Sequence, residues 1–471
     1  MAFYVPDFFL DIETLADQRG LERDKLRYGL GLEKMAVPHP SEDAATMAAE
    51  AVHQLMAQNE LDPRTLGRIY LGTESAWDGA KPMASYTLDM LEERWAARYG
   101  SHCLENCDVV DLTFACIGAV DALQNTLDWV AADPSRIGIV VASDYAKYEM
   151  ESGGEYTQGA GAVALLIRQN PRLLQINSPW GVSTRSVHDF HKPKRPAPKA
   201  RIIQEVLDLA EIRDLSAQTL VEKLFALNGE GGEILGGEAP ALQIFRETPI
   251  FDGQYSNQCY QERILGAFQH FKRQLTTFQL DDWERIVLHL PYAKHGQRVF
   301  TQIYAHEAEH TAAGAALKQE LGISSFSHEA DFYRQVGKSA TYRAFAKEKI
   351  VPSQRASAEI GNMYTASIFM ALMSTLEALY MQHTEADGIK IGFLAYGSGS
   401  KAKVFQGQVQ EKWQECVARF RITERLQARK LLDYATYHAF HHGRVVNKFS
   451  KPARGRFALQ HVKEGKRRYR S

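Results

Sequence analysis

Residues 112–143, LTFACIGAVDALQNTLDWVAADPSRIGIVVAS, decide the fold. The stretch opens at the end of an apolar, strand-like run. It turns through Phe114-Ala115-Cys116 into a helical pattern over 117–131, stops at Asp133-Pro134, and resumes as an apolar strand over 137–143. Proline has no N–H to continue a helix, so the stop is physical. A strand that is apolar at nearly every position needs cover on both faces, which indicates an α/β fold. Cys116 falls between small residues at the helix start. The free N–H groups there favour negative charge, lower a thiol's pKa and raise its thiolate fraction. Cys116 is the candidate nucleophile.

Working outward, residues 68–73, 108–114 and 160–167 read as strands, and 82–99 as a helix. The arrangement then recurs. Residues 286–291 read as a strand, 360–381 as a long apolar helix, and 389–396 as a strand ending in Gly397-Ser398-Gly399-Ser400. The helix plus strand after Cys116 (117–143) is echoed by the helix plus strand after Asn362 (363–396). This implies two similar halves, 1–170 and 171–471. Residues 194–247 break the pattern. A Pro- and Lys-rich segment over 194–199 leads into helical periodicity over 200–227, and 228–233 is Gly-rich. This predicts a helical insertion with a flexible return.

Composition bounds the function classes. The chain has 471 residues, 45% hydrophobic and 24% charged, with a net charge of -2. So balanced a charge gives no electrostatic case for nucleic-acid or membrane binding. Five cysteines in this length make no disulfide framework, which points to a reducing compartment. The first residues lack a basic leader, and no apolar run approaches the roughly 18 residues of a membrane span. A cytoplasmic location is expected.

Two further residues share a chemical logic with Cys116. Glu74 falls at the end of the strand 68–73, where a carboxylate is costly unless it is paired or used. A desolvated glutamate acquires a raised pKa and becomes a proton shuttle, although a first-turn helix acid sits equally well there. His289 lies in the apolar segment LHLPYAK (288–294), as either a core histidine or a hydrogen-bonding group in a site. His306-Glu307-Ala308-Glu309-His310 has zincin-like spacing but no third-ligand motif follows, so no metal is expected. His102, Cys103 and Cys107 lack the second pair of a metal site. The basic tail 463–470 reads as a solvated helix or strand edge.

Taken together, TESAWD (73–78), ACIGA (115–119), ASDYAKY (142–148), SGGEYTQGAGAVA (152–164), Asp189-Phe190 with Pro193, FDG (251–253) with Ser256 and Tyr260, HLPYAK (289–294), GNMY (361–364) and YGSGS (396–400) resemble the 3-hydroxy-3-methylglutaryl-CoA synthase family of the thiolase superfamily. The resemblance runs along the chain in the family's order. It implies a thiolase-type α/β fold, layered α-β-α-β-α with mixed sheets, and a homodimer. It implies an acyltransferase that condenses acetyl-CoA with acetoacetyl-CoA for the mevalonate route to isoprenoids, with CoA thioesters as substrates and no separate cofactor. By motif position, Cys116 carries acetyl as a thioester, Glu74 moves the protons, and His289 hydrogen-bonds the acceptor. Asp78, Asp144, Tyr148, Asp189, Ser256, Asn362 and Ser398 line the site, and Lys294 meets CoA phosphates. Two alternatives remain: a polyketide β-branching enzyme acting on an acyl carrier protein, and an inactive subunit of the same fold. The chain departs from the family at Phe114 and Ile117, where polar or acidic and aromatic residues are usual. His191 and Lys192 likewise replace an aromatic residue and an arginine.

Overall fold

The apolar runs form two mixed sheets in the computed structural model, which describes residues 1–227, 234–236, 239–449 and 455–471. The Gly-rich break expected at 228–233 lies outside the described residues. Two compact units are resolved, one of Met1–Asp189 with Asp252–Ser471, the other of Phe190–Phe251.

In the larger unit the first sheet holds β1 (Ala2–Tyr4), β2 (Arg68–Gly72), β3 (Asp108–Leu112), β4 (Gly138–Ala146) and β5 (Gly159–Ile167), in the order β1-β5-β4-β2-β3. The second holds β6 (Leu174–Thr184), β7 (Arg285–Leu288), β8 (Lys390–Gly397) and β9 (Lys401–Val409), in the order β7-β8-β9-β6. In each sheet a central strand, β4 or β8, has a parallel neighbour on one side, β2 or β7. On its other side lies an antiparallel one, β5 or β9, itself flanked antiparallel by β1 or β6. The two halves therefore share one strand order, and β3 is an added edge.

Helices occupy matching places. Helix α1 (Ala44–Gln58) covers β4 and β5, and α2 (Met83–Tyr99) packs beside it. Helix α3 (Gly118–Ala131) packs on β2 and β4. In the second half, α4 (Gly253–Gln274) covers β6, β8 and β9, while α5 (Ser367–Met381) packs on β7. Strand alternation explains the layering. Ile139, Val141, Ala160, Ala162 and Ala164 join the core beneath α1, whereas Val140, Ala142, Val163 and Leu165 join the core that holds α3 and α5. Helix α5 is apolar on almost every side, as a helix enclosed in a central layer must be. The result is the thiolase-type fold, two similar halves in five layers.

Three local readings are corrected. The apolar run 360–381 is not one helix. Gly361 takes φ +86°, where a Cβ would fall 1.9 Å from the carbonyl oxygen of Gln158, and α5 proper begins at Ser367. The periodicity over 200–227 splits into helices Lys199–Leu209 and Ala217–Ala226, because the Ser216 side chain caps Thr219 N and starts a second helix. In the smaller unit these two helices close a core of Ile203, Leu207, Ala217 and Val221, beside two short antiparallel strand pairs. The basic tail forms a hairpin, Ala458–Lys463 with Lys466–Arg470. Its Arg467 guanidinium stacks 3.7 Å above Trp77 and meets Asp43 at 3.3 Å. Helix α6 (Tyr434–His441) also returns to the first half, against the strand Lys34–Val37.

Candidate active site

Cys116 sits in the turn between β3 and α3. Ala115 takes φ +39°, Ile117 N donates to Phe114 O at 3.0 Å, and Ile117 caps α3. Three glycines let the turn lie this close to its surroundings. A Cβ at Gly72 would fall 2.2 Å from Ala119 N, one at Gly118 2.4 Å from Leu112 O, and one at Gly397 2.6 Å from Phe114 O. Both halves thus press their strand ends against the turn. The thiol is 8% exposed, and its Sγ donates to Glu74 Oε1 at 3.4 Å.

Glu74 follows β2 by two residues, and its placement comes from Asp144 on β4. The buried Asp144 carboxylate accepts from Thr73 Oγ1 at 2.9 Å, Glu74 N at 2.9 Å and Ser75 Oγ at 2.8 Å. Its other oxygen accepts from Thr365 N at 3.1 Å. Four donors on one carboxylate repay the cost of burying it. Asp144, expected to touch substrate, fixes the Glu74 turn against the segment leading into α5.

His289 follows β7 by one residue and is 2% exposed. Its N–H donates to Leu394 O at 3.1 Å, and its carbonyl accepts from Tyr260 Oη at 2.6 Å. Burial lowers its pKa from 6.5 to about 3, so the imidazole is neutral, and its buried Nδ1 has no partner among the described residues. His295 is held equally low, by burial first and then by His289. Tyr260 stacks on Tyr396 with centroids 4.4 Å apart, and burial followed by the charge of Cys116 pushes its phenol pKa well up. These four side chains form an aromatic, uncharged wall, and Tyr260 is the member close enough to feel the charge of Cys116.

Tyr148 and Tyr364 complete the enclosure, rings edge to face at 6.3 Å. Both phenols are raised by burial first, with Cys116 and Glu74 among the charges that oppose their ionisation. Tyr364 holds φ +43° while fully buried, a strained conformation of the kind that collects at functional sites. Tyr260 and Tyr364 appear in the sequence reading only as parts of motifs, with no role assigned to either. An aromatic within a motif shared with a family is the signal that finds them.

The other expected residues divide into supports and outliers. Asn362 Oδ1 accepts from Tyr364 N at 2.8 Å and Ser367 Oγ at 3.2 Å, anchoring the start of α5. Buried Asp189 accepts from Tyr396 Oη at 2.8 Å, Gly399 N at 2.8 Å and Ser256 Oγ at 3.2 Å. It thereby fixes the turn that carries Ser398. Asp78 is exposed, and its Oδ1 accepts from Ala80 N and Lys81 N, which holds its pKa below the usual range. The Lys294 ammonium donates to Tyr28 O at 2.7 Å. The structure does not bring these last two to the thiol by any bond. Phe114 lies under the Lys401 ammonium, 4.1 Å from its ring, and Lys401 pairs with Asp121 at 2.5 Å. Ile117 is wholly buried beneath the turn.

Among the described residues, no group of three or more His, Cys, Asp or Glu is arranged to hold a metal. The zincin-like residues have other partners: His306 stacks on His328 at 4.3 Å, Glu309 bonds His328 at 3.0 Å, and Glu307 pairs with Lys272 at 2.8 Å. Cys107 is a buried thiol whose pKa is pushed up to about 12 by desolvation.

Comparison with known proteins gives matches along most of the chain. Residues 1–171 match the family model described as hydroxymethylglutaryl-coenzyme A synthase N terminal, and residues 240–451 match that for its C terminal. A hydroxymethylglutaryl-CoA synthase of Haloferax volcanii is 25% identical over 94% of this chain and 90% of its own. That of Enterococcus faecalis is 26% identical over 93% and 89%. Among solved structures, MvaS in complex with 3-hydroxy-3-methylglutaryl coenzyme A superposes with a TM-score of 0.76 at 27% identity, covering 99% of this chain and 97% of that one.

Proposed function

This chain belongs to the hydroxymethylglutaryl-CoA synthase family, a family of condensing acyltransferases, and on that premise we propose how its residues divide the reaction. Its substrates are CoA thioesters: acetyl-CoA as donor and acetoacetyl-CoA as acceptor, in the mevalonate route. The Cys116 thiolate attacks the acetyl carbonyl, and CoA leaves as its thiolate and takes up a proton. The acetyl group is now a thioester on Sγ, which splits one hard step into easier ones. Glu74 removes a proton from the acetyl methyl group, and the resulting carbanion attacks C3 of acetoacetyl-CoA. The alkoxide takes the proton back from Glu74. Water then hydrolyses the Sγ thioester, releasing 3-hydroxy-3-methylglutaryl-CoA and restoring the thiol.

The observation that carries this reading is the 3.4 Å contact between Sγ and Glu74 Oε1, which sets nucleophile and base side by side. The neutral imidazole of His289 suits it to hydrogen-bond the acceptor's carbonyl region without adding charge. Tyr148 and Tyr364, phenols that burial keeps protonated, would supply hydrogen-bond donation beside the thioester. Asp144, Asp189, Ser256, Asn362 and Ser398 act by holding the groups that touch substrate.

A homodimer fits the open edge of β3, where Val110 is exposed and the strand's outer backbone groups are available to pair. No helix among the described residues is long and apolar enough to cross a membrane, in keeping with a cytoplasmic enzyme. The test compares acceptors: acetoacetyl-CoA against an acetoacetyl carrier protein, each with acetyl-CoA. Efficient turnover of acetoacetyl-CoA supports the reading, and strong preference for the carrier protein overturns it.

A further inference from the structure

Tyr148 is held by a part of the chain that lies far from it in sequence. Its backbone N–H donates to Gln158 Oε1 at 2.8 Å, and Gln158 Nε2 donates to Tyr437 Oη at 2.8 Å. Tyr437 Oη donates to Glu155 Oε1 at 2.9 Å, and Arg19 grips Glu155 through Nε and Nη2, each at 2.8 Å. One helical turn on, His441 Nε2 lies 3.0 Å from Tyr148 O and 3.2 Å from Gln158 Oε1. Both neighbours of that nitrogen are acceptors, so it carries the hydrogen. Burial holds the His441 pKa at about 4, in keeping with a neutral ring. Tyr148, Glu155, Gln158, Tyr437 and His441 are all buried. The loop between them wraps the Tyr148 ring so closely that a Cβ on Gly154 would fall 2.1 Å from its Cδ1.

We infer that Tyr437 and His441 on α6 are positioning residues for the condensation, setting the Tyr148 phenol against Cys116 and Glu74 through Gln158. The bonds to Tyr148 fall on its backbone N–H and C=O, the two groups that fix where a side chain points. The first comes from Gln158, which Tyr437 and His441 hold in turn, and the second from His441 itself, 293 positions downstream. A buried network in which every step is paired is stiff, and a misplacement of the order of 1 Å at a reacting centre costs about a hundredfold in rate. The inference rests on the placing of Tyr148 in the proposed function.

The test uses the full chain, with folding checked by melting temperature. Tyr437→Phe removes one hydroxyl and leaves the ring. It is expected to lower kcat about tenfold while leaving KM for acetyl-CoA within about twofold. His441→Gln, which keeps an N–H donor, should retain most activity, and His441→Leu should not. The decisive variant is the double, Tyr148→Phe with Tyr437→Phe. If Tyr437 acts through Tyr148, the double is no slower than Tyr148→Phe alone. Losses that multiply would overturn the inference and leave the proposed function standing. A Tyr148→Phe enzyme as fast as the parent would overturn the placing of Tyr148 itself.

Discussion

The two halves of this molecule share a strand order, yet equivalent places in them carry opposite chemistry. Glu74 follows β2 and His289 follows β7, strands that hold the same place in their sheets. Cys116 leads into α3, and Asn362 with Tyr364 leads into α5. In the first half the groups are acids and a thiol, and the supporting carboxylate of Asp144 is filled by four donors. In the second half the groups on the wall are uncharged, although Asp189 supports them as Asp144 does in the first: His289 and His295 are held near pKa 3 by burial, and Tyr260 and Tyr396 are pushed up. The difference teaches how a duplicated fold makes an asymmetric site. On the proposed roles, one half holds the nucleophile and the base side by side. The other offers hydrogen bonds that do not compete for the base, since a cationic imidazole would pair with Glu74 and blunt it as a base.

The strongest way to break this comparison is to remove the charged base. Glu74→Gln should lower condensation by about a thousandfold, in the range of a lost general base. Acetylation of Cys116 should survive, separating the two roles. Rates within tenfold of the parent would place the base elsewhere. His289→Asn should cost less, about ten- to a hundredfold, and appear mainly as a higher KM for the acceptor. If the imidazole is neutral, the pH–rate profile of the parent also shows no step from His289 between pH 5 and 8; a step lost in His289→Asn would contradict the uncharged wall.

Smaller effects probe how the halves meet. Gly397→Ala sets a methyl 2.6 Å from Phe114 O and 3.0 Å from Ile117 N. Denaturant unfolding should show a loss of about 1–3 kcal/mol, with slower acetyl transfer from a displaced Cys116 turn. A last effect is graded with pH. For His289 and His295 the folded pKa, about 3, lies below the ordinary 6.5, so the unfolded chain binds their protons first. Stability therefore falls as pH drops through 6.5 and goes on falling toward 3. Melting temperature followed across that window should decline, and His295→Phe should flatten the decline.

Much of this asymmetry was legible in the chain. The alternation of apolar strands and helices shows the layers, and the step from strand to helix at Cys116 singles it out as the candidate nucleophile. The contact between Glu74 and Cys116 was not legible, because it depends on Asp144 drawing two strand ends together 70 residues apart. The split of 360–381 escaped periodicity because the run is apolar on all sides, so a kink leaves no gap in the pattern. Asp144 and Asp189 enter by motif position as residues lining the site, and motif position does not show what they bond. Their donors come from other segments and appear once the fold is assembled.

The central claim is that Cys116 carries the acetyl group. Intact-mass spectrometry after incubation with acetyl-CoA alone tests it directly. One acetyl adduct per chain is expected, mapped to the peptide holding Cys116 and absent from Cys116→Ala. An unmodified parent protein, or an adduct that persists in Cys116→Ala, would contradict it.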